Sequence, residues 1–493
     1  MEQTVTLESI REFKGKYPKQ LWYLFGTEMW ERFCFYGMRG VLTIFMVDQL
    51  LLTDKDANLK YGAIQAFVYA FTFIGGIFAD KVLGFRRSLF FGGLVMMAGN
   101  LLIAVAPHEF FYYGISLSII GTGFFKPNIS SMVGQLYHEH DPRRDAGYGM
   151  FYAGINVGAL LGGVLMVYLG KYVSWSACFA AAAIVMGLGL VNFFFARKSL
   201  GPIGDSPLKD HPASRRTMKE VIVYAASLAS IPCILILLRN TDYTDYFMYT
   251  IAVLAMLYFG YELVSLKEKV ARNRFVAAFV FIFFYFVFNA IFEQSGGSLS
   301  LFAKDNLNHR LLFFDIDPNI VNNSSNSLFV IVLSPVIGFL WLGMAARKIE
   351  PSTITKFGIG FLFLAASFYL FYLTRFFADN AGMASLNVFT FAYFITTIGE
   401  LCLGPIGMSI VSKLVPVRLT GMMMGMWFLA SAFGQFAAGK LGAEMSSPPN
   451  ATLLDKLMTY TEGYKELAIY ALVAGVVLVV SARLVRSLMH GVH

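Results

Sequence analysis

The stretch Thr27–Arg39, TEMWERFCFYGMR, places two carboxylates and two guanidinium groups (Glu28, Glu31, Arg32 and Arg39) among residues that are otherwise apolar and aromatic. At 100° per residue on a helix, Glu28, Glu31, Arg32, Phe35, Tyr36 and Arg39 fall within one arc of about 140°. All four charges therefore face one way. A carboxylate gains or loses a proton as its surroundings change, whereas arginine stays charged. Two glutamates gathered around an arginine can thus couple proton uptake to a change of ion pairing. The alternative is purely structural: a knot of ion pairs that holds helices together.

Three further ionisable residues stand isolated in apolar runs. Lys126 lies in GTGFFKPNIS, where Pro127 loosens the helix. Glu400 lies in TTIGELCLGPIGMS, ahead of Gly404 and Pro405, and Glu293 lies in FNAIFEQSGGS. Lysine, like glutamate, changes charge when desolvated. Taken singly, each of these is equally a paired or snorkelling structural charge. Tyr69, Tyr152 and Asn156 (the last two one helical turn apart), Asn326 and Trp427 add polar and aromatic groups that individually read as packing or interfacial residues. As a set, separated positive and negative charges with such a lining suit a zwitterion. Its carboxylate would sit near arginine and lysine, and its ammonium near glutamate.

The elements that hold these residues follow from composition. The chain has 493 residues, 57% hydrophobic and 14% charged, with mean hydropathy +0.61. Soluble domains have about 45–50% apolar and about 25% charged residues, so this is an all-α membrane protein of many helices. Its 49 Phe and 45 Gly fit lipid-facing surfaces and close helix contacts. The net charge of +8 is spread over short loops with no continuous basic domain, which argues against a nucleic-acid partner. Cys34, Cys178, Cys233 and Cys402 all lie in apolar segments and imply no disulfide framework. The N-terminal MEQTVTLESIREFKGKYPKQ lacks the pattern of a cleavable signal, so the first span is expected to direct insertion.

About 20 apolar residues cross a bilayer. Such runs occur at 21–50, 61–80, 88–106, 110–135, 148–170 and 174–196, then at 219–238 and 246–265 beyond the linker GPIGDSPLKDHPASRR. Six more lie at 274–300, 323–345, 354–376, 386–413, 418–440 and 466–486. The expectation is fourteen spans: a six-helix bundle over 1–198, a linker with two inserted helices over 199–272, and a second six-helix bundle over 273–493. Alternate loops carry the basic residues, among them Lys81/Arg86/Arg87, Arg143/Arg144, Arg347/Lys348 and Lys413/Arg418, which places both termini in the cytoplasm. Glu31 then lies about 15 Å below the start of its span, near mid-bilayer. Each unpaired charge at that depth costs ~2.5–3.5 kcal/mol, so the charged arc must face the bundle interior.

Two six-helix halves are the layout of secondary transporters. No HExxH, GxSxG or Cys/His pairing points to hydrolysis, so no enzyme, metal or cofactor is expected, and a receptor would carry a soluble output domain.

Glu28-Met-Trp-Glu31-Arg32-Phe33, followed by Tyr36-Gly-Met-Arg39, resembles the ExxER signature of the proton-coupled oligopeptide transporter family, a branch of the major facilitator superfamily. GGIFADKVLGFRR, DPRRDAG, FYAGINVGAL, GELCLGPIGMS and MMGMWFLAS extend the resemblance along the chain, and the extra helix pair matches bacterial members. The resemblance implies the major facilitator fold and import of di- and tripeptides with protons across the bacterial inner membrane by a monomer. Glu28, Glu31, Arg32, Lys126 and Glu400 would couple protons, Lys126 partnering the cluster and Glu400 receiving the peptide amino terminus. Arg39, Tyr36, Tyr69, Lys126, Tyr152, Asn156, Asn289, Glu293, Asn326, Glu400, Trp427 and Phe428 would line the substrate site, with Arg39 and Glu293 as a gate. Phe35 stands where many members have tyrosine, Asn289 where tryptophan is usual, and Ser327 where proline is usual. The alternative within the fold is a proton-coupled carrier of another small solute such as nitrate. The full ExxER and Glu400 argue against it.

Overall fold

The structure is a computed structural model that describes residues 6–138 and 140–492. It is helical apart from loops and one small hairpin, Arg310–Leu311 against Phe314–Asp315. The helices are α1 (Leu7–Arg11), α2 (Lys19–Asp48), α3 (Asp54–Phe78), α4 (Phe85–Val105), α5 (Pro107–Gln135), α6 (Arg143–Tyr168) and α7 (Trp175–Ala196). The inserted region supplies α8 (Ala213–Ala229), α9 (Ile231–Arg239) and α10 (Thr241–Ser265). There follow α11 (Lys269–Phe292), α12 (Ser298–Asn306), α13 (Pro318–Ala346), α14 (Thr353–Leu373), α15 (Leu386–Leu414), α16 (Val417–Glu444) and α17 (Leu453–Met489).

Among the described residues, eleven helical segments are long and apolar enough to cross a membrane. By that measure the expected fourteen spans stand at eleven. The other three, α2, α5 and α16, run for 30, 29 and 28 residues but are richer in charged, polar and small residues. Two expected spans are also interrupted. The run 274–300 breaks after Phe292 into the 3-10 turn Glu293–Gly296 before α12. The run 219–238 divides at Ser230, because Pro232 has no backbone N–H to continue the helix and belongs in a first turn.

The chain forms two compact units. The first takes residues up to Val41 and Phe67–Arg239; the second takes Leu42–Ala66 and Asn240 onward.

In the first unit α6 brings three glycines, Gly154, Gly158 and Gly162, to face α2. A Cβ on Gly158 would lie 2.1 Å from the Met29 carbonyl oxygen, and one on Gly162 would lie 2.3 Å from that of Phe33. The side-chain-free stripe lets the backbones touch, the usual device for joining helices in lipid. It seats α2, and with it the charged arc, directly on α6. Pro127 leaves the carbonyl of Gly123 without its intrahelical N–H, and α3 crosses there: a Cβ on Gly75 would lie 2.2 Å from that oxygen. The loop after α7 is clamped beneath the α3–α4 turn. Arg86 donates to the carbonyls of Gly201 and Ile203, and Ser206 Oγ donates to Val82 O at 2.6 Å. The inserted helix α8 docks on α4 through the Arg87–Glu220 ion pair and the Phe91–Tyr224 rings, 4.6 Å apart.

In the second unit the inserted helix α10 stacks Phe259 on Phe275 and Phe279, with ring centroids at 4.6 and 4.1 Å, and pairs Asp245 with Lys440. The α2–α3 connection belongs here as well. Lys456 of α17 lies 3.2 Å from Asp54 and 2.6 Å from Asp305, while Tyr460 Oη donates to Asp54 at 3.2 Å. The first half of α3 packs antiparallel on α16. A Cβ on Gly442 would meet Asn58 Oδ1 at 2.6 Å, and one on Gly62 would meet the Gly439 Cα at 2.7 Å. The same register brings Gln65 and Gln435 to one level. Both are buried, and neither side-chain amide has a hydrogen-bond partner among the described residues.

Candidate functional site

The α2 arc forms a buried cluster. Arg32 Nε lies 3.0 Å from Glu28 Oε1 and 2.5 Å from Glu31 Oε2, and Glu28, Glu31 and Arg32 are 2%, 0% and 1% exposed. Neither approach is aligned as a hydrogen bond. Both Glu31 oxygens, Glu28 Oε2 and Arg32 Nη2 are without a hydrogen-bond partner among the described residues. Two carboxylates thus share one buried guanidinium, with hydrogen-bonding capacity left over among the described residues. Buried polar groups are ordinarily satisfied, so such a deficit in a native protein calls for a functional explanation.

Phe35 lies between the cluster and Lys126. Its buried ring carries the Arg32 guanidinium at 5.2 Å and the Lys126 ammonium at 5.7 Å, and Lys126 also lies 4.2 Å from the Tyr69 ring centroid. Cations over aromatic faces gain roughly 0.5–2 kcal/mol, more when desolvated. The aromatic residues of the site therefore hold two like charges on one ring without a counter-anion between them. Phe35, which stands where many members have tyrosine, is 1% exposed and packs against the two cations. Phe35→Tyr is accordingly expected to shift the pH profile of transport more than the ranking of substrates. Changed relative affinities with an unmoved pH profile would return Phe35 to the substrate site.

Further along α2, the Arg39 guanidinium lies 5.9 Å from the half-buried Tyr36 ring. On α6 Tyr152 is 40% exposed, and the buried Asn156 donates back to the Tyr152 carbonyl at 3.0 Å.

The second unit holds the other group. Asn326 of α13 donates to Glu400 Oε2 of α15 at 2.8 Å, and its amide nitrogen is 3.2 Å from Thr397 Oγ1. One turn along α15, Tyr393 Oη donates to Asn322 Oδ1 at 2.6 Å. This ladder fixes the half-buried Glu400 carboxylate. Trp427 is buried and stacks on Tyr285 with centroids 3.9 Å apart at 16°; Phe428 beside it is partly buried. Asn289 donates to the Tyr285 carbonyl at 2.7 Å, and buried Glu293 opens the 3-10 turn after α11.

The structure thus gathers Glu28, Glu31, Arg32, Lys126 and Tyr69 in one place, and Asn326 and Glu400 in another. Tyr285, Thr397 and Asn322 escaped sequence reasoning. Tyr285 stands one turn before Asn289, so helical spacing from Asn289 was the available signal. Among the described residues, no group of three or more His, Cys, Asp or Glu is placed to hold a metal ion.

Two helical units rich in membrane-spanning helices, one holding the Glu28/Glu31/Arg32 cluster and the other the Asn326–Glu400 pair, define a secondary membrane transporter, and the solved structures it matches give the fold as that of the major facilitators. The sequence profile of the POT family matches residues 86–460, and the chain belongs to that family. The chain is similar to dipeptide and tripeptide permease A of Escherichia coli K12, 29% identical over 480 residues, 96% of this chain and 94% of that protein. It is 31% identical to the Enterobacter sp. 638 permease of the same name, over 97% of this chain and 94% of that one. A mutant of the peptide transporter POT in complex with alafosfalin superposes with a TM-score of 0.82 at 31% identity, covering 99% of this chain and all of the other. A bacterial homologue of the human drug peptide transporters gives 0.84 at 25% identity, over 95% and 99%. These relatives are permeases, and the chain is a transporter rather than an enzyme.

Proposed function

We propose that this chain imports di- and tripeptides by proton symport with alternating access. It acts as a monomer in the bacterial inner membrane, with both termini in the cytoplasm. The observation that carries the reading is the buried cluster of Glu28, Glu31 and Arg32 with the partly buried Lys126 across Phe35. With both glutamates ionised, two negative charges balance two positive ones. Adding one proton to a glutamate leaves a cation in excess, and Lys126, already held on aromatic faces rather than on a carboxylate, is free for an incoming anion. A peptide carboxylate is such an anion. Arg39 adds a second cation of the first unit, Tyr36, Tyr69, Tyr152 and Asn156 polar lining, and Glu400, oriented by Asn326, the anion for a peptide ammonium, with Asn289, Glu293, Trp427 and Phe428 as further lining from the second unit. The names of the relatives support peptides as the cargo.

The test is uptake of labelled dialanine by proteoliposomes under an imposed pH gradient, competed by amino acids, dipeptides, tripeptides, tetrapeptides and nitrate. Uptake that requires the gradient and yields only to di- and tripeptides is expected. Competition by nitrate in place of peptides would overturn the assignment.

A further inference from the structure

At the basic-loop end of the second unit, a groove of about 580 Å3 runs between the start of α14 and the end of α17. Arg483, Arg486 and Ser487 line it from α17, Thr355 lines it from α14, and Val479 and Val480 continue it along α17. We propose that this groove is a binding site for the phosphodiester of an anionic phospholipid, with the acyl chains leaving over the valines.

Four observations converge on it. Arg483 and Arg486 are three residues apart, so they project from one face of α17, and both are exposed. Among the described residues neither has a carboxylate or hydrogen-bond partner, whereas the nearest acid in sequence on the α14 side, Glu350, is already paired with Lys356. Exposed arginines in a pocket match the geometry of a phosphate, which accepts two parallel N–H donors from each guanidinium. The start of α14 adds to this: Ser352 Oγ is hydrogen-bonded to Thr355 Oγ1 at 2.8 Å and caps no backbone N–H of the first turn, and Thr355 lines the groove. Free first-turn N–H groups favour an anion.

The lining also separates lipid from free phosphate. Val479 and Val480 are exposed on a segment apolar enough to span the membrane, and Arg486 is six residues beyond Val480, about 9 Å along the helix. The groove therefore passes from an apolar surface to two guanidinium groups, in the order in which a lipid passes from acyl chain to phosphate. Among the described residues, no carboxylate lines it to receive the ammonium of a zwitterionic headgroup. Finally, the end of α17 is held in place. Arg274 donates to the carbonyls of Met489 and His490, and Asn273 hydrogen-bonds the His490 ring, so the arginines project from an anchored helix end. Basic pockets between spanning helices are the usual receptors for acidic headgroups.

The test compares the purified full-length protein in neutral detergent with added phosphatidylglycerol, phosphatidylcholine or inorganic phosphate, read by native mass spectrometry and thermal unfolding. Phosphatidylglycerol is expected to be retained about tenfold more than phosphatidylcholine and to raise the midpoint, with no gain from inorganic phosphate. Arg483→Gln/Arg486→Gln should erase the preference while leaving the midpoint in phosphatidylcholine, and uptake of dialanine, at wild-type values. Arg483→Lys/Arg486→Lys should keep part of it. An equal gain from inorganic phosphate would reduce the groove to a phosphate site and overturn the proposal. So would equal retention of the two lipids, or a preference that survives the glutamine pair. If the glutamine pair lowers the midpoint in phosphatidylcholine, the lysine pair decides, and full retention of the preference by it would overturn the bidentate geometry.

Discussion

Glu31→Gln is expected to abolish accumulation of dialanine driven by a pH gradient while sparing exchange of peptide for peptide. Glu31 is fully buried, its oxygens accept no aligned hydrogen bond among the described residues, and it shares Arg32 with Glu28. The amide has nearly the carboxyl's shape but holds no proton that can leave. It fixes the cluster in the charge state that the protonated acid would have, so substrate binding survives and the link to the gradient does not. The measurement is paired: gradient-driven uptake and counterflow in the same proteoliposomes. Accumulation equal to wild type would remove Glu31 from proton coupling. Loss of both activities would make the residue a structural tie.

Gly158→Val is expected to be the most damaging single change in the first unit. The added carbon would sit 2.1 Å from the Met29 carbonyl oxygen and 3.0 Å from the Arg32 Cβ. The clash is with backbone, which no side-chain rotation relieves. Overpacking of this kind costs ~1–3 kcal/mol or more, and α2 must move off α6, taking Arg32 out of register with its glutamates. A lowered unfolding midpoint with lost gradient-driven uptake is the expected pair of results. Gly149→Ala is the control, because a Cβ there meets nothing within 4 Å and alanine suits a helix better than glycine. A Gly158→Val protein as stable and active as wild type would show that α2 and α6 do not pack as described.

How much of this was legible beforehand depends on what helical period encodes. One arc on α2 gathered Glu28, Glu31 and Arg32 by 100° steps alone, and the structure buries that arc. Period names a face, but it does not name the partner that covers it. That Gly154, Gly158 and Gly162 would be the surface beneath α2, or that Tyr285 would stack on Trp427, depends on which helices become neighbours. Phe35 shows the same limit from the other side. Its place on the arc puts it beside Arg32, yet the second cation on its ring comes from residue 126, and only the fold brings the two together. The breaks at Ser230 and Phe292 were hidden because a run of apolar residues reads as continuous whether or not its backbone is.

The pairing of α3 with α16 has a consequence for lability. At Gly62 and Gly439 the two backbones meet without side chains, and one turn away Gln65 and Gln435 lie buried with their amides unmatched among the described residues. A buried amide left without a partner costs about 1–3 kcal/mol, while two leucines at the same level would remove that cost. A permanent scaffold has no use for such a deficit. A surface that must periodically be wetted does, because each amide regains its hydrogen bonds when water reaches it and lowers the work of parting the helices. In the proposed alternating cycle, the tight glycine crossing and the amides beside it would make a joint that closes closely without closing irreversibly.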